Sequence, residues 1–198
     1  MVKARIYIEG GETPEDQSRC REAFRKLLEK AGFKGKMPRL VASGGRNATL
    51  DDFQTKLKQS TDGDFVAMLV DSEDPIADPE KTWEHLKKRD SWAKPTGAKD
   101  DQVLLMTTCM ETWIVADLDT LKSHYGAKLQ KSALPSLHNL ENRQRHDVQD
   151  KLAHATRNCT NAYAKGKRSF EVLARLNPAA LSELPSFARM VRILKEEL

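Results

Sequence analysis

Long apolar runs are absent from this chain. Nowhere do roughly 20 apolar residues follow one another, the length a helix needs to cross a bilayer, so no membrane span is expected. The segment Met1-Val2-Lys3-Ala4-Arg5 leads straight into a strand-like pattern and lacks the apolar centre and cleavage site of a signal peptide. Cysteine is scarce: Cys20, Cys109 and Cys159 are odd in number, far apart, and form no CxxC pair. That spacing argues against a disulfide framework or a zinc knuckle, suits a reducing compartment, and makes a cytoplasmic location the expectation. No Walker sequence occurs, and no Ser/His/Asp or Cys/His ordering suggests nucleophilic catalysis. Internal repeats and low-complexity tracts are also missing.

What is present reads as globular, with 39% hydrophobic and 31% charged residues. A chain of 198 residues has room for one substantial core, alone or with a helical appendix. The net charge of +4 is unevenly placed. Residues 1–117 carry 19 Lys and Arg against 21 Asp and Glu, whereas residues 118–198 carry 14 against 8. Ordinary solvated helix faces account for such an imbalance; a polyanionic partner for the basic third is the sharper reading.

Lys3 to Glu9 alternates, with Ala4, Ile6 and Ile8 on one face and Arg5, Tyr7 and Glu9 on the other, which predicts a strand. After Gly10-Gly11, Thr13-Pro14-Glu15-Asp16 has the make-up of a helix start, with Phe24, Leu27 and Leu28 as its apolar stripe and Gly32 at its end. A second strand, residues 39–42, leads through Ser43-Gly44-Gly45-Arg46-Asn47 to a helix from about Thr49, where Thr49 and Asp52 have capping-box spacing. Asp62-Gly63 marks a turn. Phe65 to Val70 is apolar throughout and stops at Asp71, as in a strand buried on both faces of a parallel sheet. A helix over about 79–88, a strand over 103–106 and a helix over 111–124 complete four strand–helix alternations, the pattern of βαβ units. Beyond Gly126 only helices are expected, near 141–157, 168–176 and 186–197. The predicted class is therefore α/β: a mainly parallel sheet flanked by helices over residues 1–126, with a helical, basic extension over 127–198 packed on it.

Parallel strands bring their ends to one edge. Glu9 closes the first strand and Asp71 the third, so both carboxylates emerge at the carboxyl edge where open α/β sheets take ligands. Glu73, two residues beyond Asp71, points the same way if the segment is extended. Acids so crowded repel one another and a cation relieves the repulsion; Mg²⁺ (or Mn²⁺) suits few carboxylates plus substrate phosphates. The plain alternative is a strand-end turn at Glu9-Gly10 and a polar loop over Asp71-Ser72-Glu73-Asp74.

Ile6-Tyr7-Ile8-Glu9-Gly10 followed by a helix, then Met68-Leu69-Val70-Asp71-Ser72-Glu73-Asp74, resembles the toprim domain of topoisomerases, primases and nucleases of the overcoming-lysogenization-defect type. Met110-Glu111-Thr112-Trp113-Ile114-Val115-Ala116-Asp117, Tyr163-Ala164-Lys165-Gly166-Lys167 with Phe170, Leu173 and Leu176-Asn177-Pro178, and Phe187-Ala188-Arg189 are similar to segments of a small toprim-like bacterial family. Members of that family are often encoded beside ABC- or AAA-type ATPases in phage-defence-like operons. The resemblance implies a toprim-like fold and Mg²⁺-dependent phosphodiester chemistry on nucleic acid. Glu9 would serve as ligand or general acid/base, and Asp71 and Glu73 as metal ligands, with Asp74 or Glu111 assisting. An ATPase partner is also implied. Two departures are visible: Glu73 stands where the Asp-x-Asp pattern has its second Asp, and the segment after Gly10 is slightly longer than usual.

Supporting groups follow. Gly44-Gly45-Arg46 joins a strand to a helix start, where backbone N–H groups and the Arg could cradle a phosphate or simply form a tight turn. Lys165, Lys167 and Arg168 are the densest basic cluster; the lysines are candidates to stabilise charge on a phosphate and Arg168 to grip a backbone. They equally suit a solvated helix start. Asp117 reads as a cap for 118–124 or as an ion-pair partner, and Trp113 as core. His146, Asp150 and His154 share one helix face, read as solvated. Competing functions are a non-catalytic partner or sensor subunit of an ATPase complex and a phosphoacceptor using Asp71.

Overall fold

The structure, a computed structural model, describes residues 4–61 and 63–198. Lys3, expected to begin the first strand, and Asp62, expected in a turn, lie outside the described residues. The strands are β1 (Ala4–Glu9), β2 (Arg39–Gly44), β3 (Phe65–Asp71) and β4 (Val103–Met106). All pair in parallel, in the order β2-β1-β3-β4, so the chain is an α/β protein.

The helices begin where the chain supplies caps. Thr13 Oγ1 accepts from Asp16 N (3.2 Å) to start α1 (Pro14–Leu28), whose first turn is acidic and last turn basic, matching the helix dipole. Helix α1 runs out through a π turn in which Gly32 takes φ 99°, a value open to glycine. Helix α2 (Arg46–Lys58) starts a turn earlier than the capping-box spacing predicted. Gly45 is the extended residue before it, and Thr49 lies buried inside the helix with its hydroxyl donating to Gly45 O (3.1 Å). Helix α3 (Thr82–Asp90) starts later than expected because its cap comes from afar: Asp100 Oδ1 accepts from Trp83 N (2.9 Å) and Thr82 Oγ1 (3.2 Å). The expected helix over 111–124 is two, α4 (Met110–Ala116) and α5 (Leu118–Tyr125). Asp117 breaks it, as Oδ1 caps Thr120 N (3.0 Å) and Oδ2 accepts from Asn177 N (2.8 Å). Helices α6 (Arg145–Thr156), α7 (Lys167–Leu173), α8 (Pro178–Leu181) and α9 (Pro185–Glu197) follow.

Strand alternation sorts the core into two layers. Tyr7, Val66, Met68 and Val70 face α2 and α3 through Phe53, Trp83 and Leu86. Ile6, Ile8, Ala67 and Leu69 face the opposite way, against Phe24 and Leu27 of α1, Trp113 of α4, Phe170 of α7 and Phe187 of α9. The helices beyond residue 127 thus complete the covering of one sheet face, and Leu173 and Leu194 belong to the same apolar cluster as Ile6. Polar contacts fasten them. Lys30 Nζ donates to Ala174 O (2.9 Å) and Leu176 O (3.1 Å), and buried Arg189 donates to Val103 O (3.0 Å) and Asp100 O (3.1 Å).

Trp113 is the pivot of that face. It is fully buried, meets Phe187 edge-on at 5.1 Å and Phe24 at 6.4 Å, and its indole N–H donates to Ser186 Oγ (3.4 Å). Trp113→Ala should cost about 3–5 kcal/mol, read as a lower denaturation midpoint in urea. A loss below about 1 kcal/mol would contradict this packing.

Candidate functional site

From β1 the chain crosses to β2 on one side, and from β3 to β4 on the other. The carboxyl ends of neighbouring β1 and β3 therefore flank the topological switch point, the crevice where open α/β sheets bind ligands. A cleft of about 340 Å³ opens there. Glu9, Asp71 and Glu111 line it, together with Gly44, Gly45, Asp16 and Lys165.

Glu9 is tied to the neighbouring strand. Its Oε2 accepts from Asp71 N (3.1 Å) and from Arg46 Nη1 (3.2 Å). Asp71 Oδ1 accepts from Met110 N (2.9 Å), the first residue of α4, so each acid spends one oxygen on structure. Among the described residues, Glu9 Oε1 and Asp71 Oδ2 accept no hydrogen bond. Glu111 differs: Oε1 accepts from Tyr163 OH (2.5 Å) and Oε2 from Gln149 Nε2 (3.1 Å), so both its oxygens are engaged.

The cluster is electrostatically uncomfortable. Burial drives the Asp71 carboxyl well above the usual range, and the neighbouring charges of Glu9 and Glu111 push the same way. Burial also raises Glu9, although Arg46 and the hydrogen bond from Asp71 N oppose it. Tyr163 is held above its ordinary value by burial and then by Glu111.

Glycine makes the approach possible. Gly10 N donates to Gly44 O (2.7 Å), linking the ends of β1 and β2. At Gly11, with φ 83°, a Cβ would stand 2.5 Å from Gln17 N, so the tight run into α1 excludes any side chain.

Several expected site residues lie elsewhere. Glu73 does not extend beside Asp71. It takes φ 67°, its N donates to Thr108 O (2.8 Å), and its buried carboxylate pairs with Arg89 (3.2 Å) and Arg145. Asp74 is exposed and faces Arg89 Nε at 3.5 Å. Arg46 is committed to protein partners: besides Glu9, it donates to Asp71 O, forms a two-point pair with Asp90 (3.1 and 2.7 Å), and stacks over Trp92 at 4.8 Å. Lys167 borders a groove between α1 and α7, and Arg168 donates to Ala162 O (2.8 Å). His146, Asp150 and His154 are exposed on α6. Sequence reasoning missed Asp90, Trp92, Gln149 and the cleft position of Asp16. Asp16 carried a signal only as a first-turn acid, and the others carried none, because their roles depend on contacts across the fold.

Among the described residues, no three His, Cys, Asp or Glu side chains converge as a ready-made metal cage. Two carboxylates with free oxygens, beside a third acid, fit a different pattern. Mg²⁺ is commonly held by one or two carboxylates, its own waters and substrate phosphate. Glu9 and Asp71 are the residues that would hold it.

The Arg46–Asp90 pair makes a separate prediction. Burial alone would raise Asp90, but the hydrogen bonds and charge of Arg46, aided by Arg89, outweigh it and leave the carboxyl below its ordinary value. A lowered carboxyl stabilises the fold above its unfolded pKa, near 3.9, and that contribution disappears as pH falls through the folded value. Asp90→Asn should therefore flatten the loss of stability below about pH 4, measured by urea denaturation across acidic pH. An unchanged acid limb would contradict the pairing.

No curated protein and no solved structure matches the chain. A family model, described as a domain of unknown function (DUF4276), matches residues 11–195, and the chain belongs to that family.

Proposed function

We propose that the protein is a Mg²⁺-dependent, toprim-like phosphodiester-processing protein, in its simplest form a nuclease acting on DNA or RNA. The single observation behind this reading is the pair Glu9 and Asp71. Each has an unengaged oxygen in a cleft at the switch point, with Lys165 on the same lining. The order of motifs that resembles toprim proteins supports it.

A divalent cation, where bound, would supply neutralisation of phosphate charge and activation of a water. Glu9 and Asp71 would hold it through the carboxylate oxygens that no hydrogen bond engages. Arg46, fixed by Asp90 and Trp92, keeps the Glu9 carboxylate oriented while its other oxygen serves the cleft. Tyr163 and Gln149 hold the buried Glu111 against the cleft, where its charge would add to the pull on a cation. Lys165 offers an ammonium to a non-bridging phosphate oxygen. The basic helices beyond residue 127 supply backbone contacts to nucleic acid, and an ABC- or AAA-type ATPase in a phage-defence system is the proposed partner.

A second reading has its own support. Glu73 is diverted into ion pairs and Glu111 has both oxygens occupied, leaving two acids for a metal. That thin set suits a non-catalytic subunit of an ATPase complex that keeps the fold and the cleft.

Cleavage of labelled single- and double-stranded DNA and RNA with Mg²⁺ or Mn²⁺, with and without the ATPase, separates the two. The nuclease reading predicts activity that falls roughly 100-fold in Glu9→Gln and Asp71→Asn, a loss of about 3 kcal/mol of transition-state stabilisation. Lys165→Met should lower activity less, and Lys167→Met hardly at all. Absence of metal-dependent cleavage, or wild-type activity in Glu9→Gln and Asp71→Asn, would remove the nuclease reading.

A further inference from the structure

Away from the acidic cleft, one histidine is bonded so that its ring has no place for a second proton. His124 stands in the last turn of α5, and Asn161, in the segment between α6 and α7, ties that turn down. Asn161 Nδ2 donates both to His124 O (3.2 Å) and to His124 Nε2 (2.8 Å). A carbonyl only accepts, so it fixes the amide nitrogen on this side and makes Nε2 an acceptor as well. The neutral ring therefore carries its proton on Nδ1, a buried atom with no hydrogen-bond partner.

An imidazolium is badly served in this setting. Protonated at both nitrogens, it would point Nε2–H at the Asn161 amide N–H group and keep Nδ1–H buried and unpaired. Turning the amide over sets Asn161 Oδ1 against His124 O, two acceptors face to face. Either way the cation costs the closed contact. The surroundings act in the same direction. Burial holds the His124 pKa below its ordinary value, the charge of Arg175 from α7 adds to the effect, and Glu171 of α7 opposes both without reversing them. The Tyr125 ring meets the imidazole edge-on at 4.6 Å. Burial pushes the Tyr125 hydroxyl up to about 12, with Cys159, Arg168 and Glu171 as its charged neighbours, so it stays neutral.

The segment that Asn161 anchors leads into the acidic cleft. Tyr163 N donates to Thr156 Oγ1 (2.9 Å), Tyr163 OH donates to Glu111 Oε1 (2.5 Å), and Lys165 lines the cleft. We infer that His124 and Asn161 form a proton-sensitive latch. Closed while His124 is neutral, it holds residues 157–166 against α5; protonation opens it and releases Tyr163 and Lys165 from the cleft. Neither carboxylate proposed to hold a cation takes part. A histidine whose pKa is lowered in the closed form stabilises that form fully above the ordinary value, near 6.5. The contribution is lost as pH falls from there towards the closed-form value, and each pH unit in that window favours the open form about tenfold.

Two measurements on the full chain test the latch between about pH 7.5 and about pH 5: the His124 ring titration by NMR, and amide hydrogen exchange. The useful amides are those of Cys159, Ala162 and Tyr163, which are hydrogen-bonded within the segment or to α6. The expected result is a His124 midpoint below about 6.5. Protection of these amides, corrected for intrinsic exchange, should fall up to about tenfold per pH unit below that value, while β1 and β3 keep theirs. His124→Gln, which accepts from Asn161 and takes no proton, should keep the protection at acidic pH. Asn161→Asp, with a carboxylate against the ring, should raise the His124 midpoint by about one pH unit or more. A midpoint at or above about 6.5 in the unaltered chain would overturn the latch. So would amides unprotected at neutral pH, protection that does not fall with pH, or an equal fall in His124→Gln. Should either variant fail to fold, the two profiles of the unaltered chain decide.

Discussion

Glu9 binds the backbone of its neighbour strand, and much of the architecture serves that contact. The bond from Asp71 N to Glu9 Oε2 spans the carboxyl ends of the two strands, where backbone groups run out of ladder partners. A carboxylate accepting there pairs an amide that the sheet cannot. It also brings a second acid, Asp71, within reach of the first. Arg46 makes the arrangement tolerable by donating to both the Glu9 carboxylate and the Asp71 carbonyl, and Asp90 and Trp92 hold the guanidinium in place. A charge chain follows from Glu9 through Arg46, Asp90, Arg89 and Glu73 to Arg145 at the start of α6. Chains of this kind specify geometry more than they add stability, since each buried charge loses hydration.

The helices beyond residue 127 matter to the same edge. Helix α6 reaches it twice, with Arg145 on Glu73 and Gln149 on Glu111, while Tyr163 and Lys165 precede α7. Phe170 of α7 packs near Gly10, where a Cβ would stand 3.5 Å from its ring. The acidic cleft is thus walled on one side by the parallel sheet and on the other by the basic helical segment. The floor of the cleft is acidic, and of the basic residues in the helical segment Lys165 reaches its lining.

The strands were legible because their chemistry is local. Phe65 to Val70 is apolar at every position because both its faces are covered, and β1 alternates in a way that sorted Ile6 and Ile8 from Tyr7 correctly. Parallel connectivity then placed Glu9 and Asp71 on one edge without further information. The misplacements arose where a long-range contact overrides local pattern. Glu73 was assigned to the edge by assuming an extended segment, whereas Arg89 and Arg145, distant in sequence, draw it away through a left-handed turn. Arg46 looked like a phosphate ligand, yet Asp90, 44 residues on, claims it. Helix α3 starts late because Asp100 caps it from beyond its far end.

The central claim is that Glu9 and Asp71 together form a cation site. Binding of Mn²⁺ to the full chain, read as loss of the free-ion paramagnetic resonance signal and competed with Mg²⁺, tests it most directly. The account predicts stoichiometric binding that Mg²⁺ displaces, lost in Asp71→Asn and Glu9→Gln while Glu73→Gln retains it, with all three variants folded. Absence of binding, or binding that survives neutralisation of both Glu9 and Asp71, would contradict it.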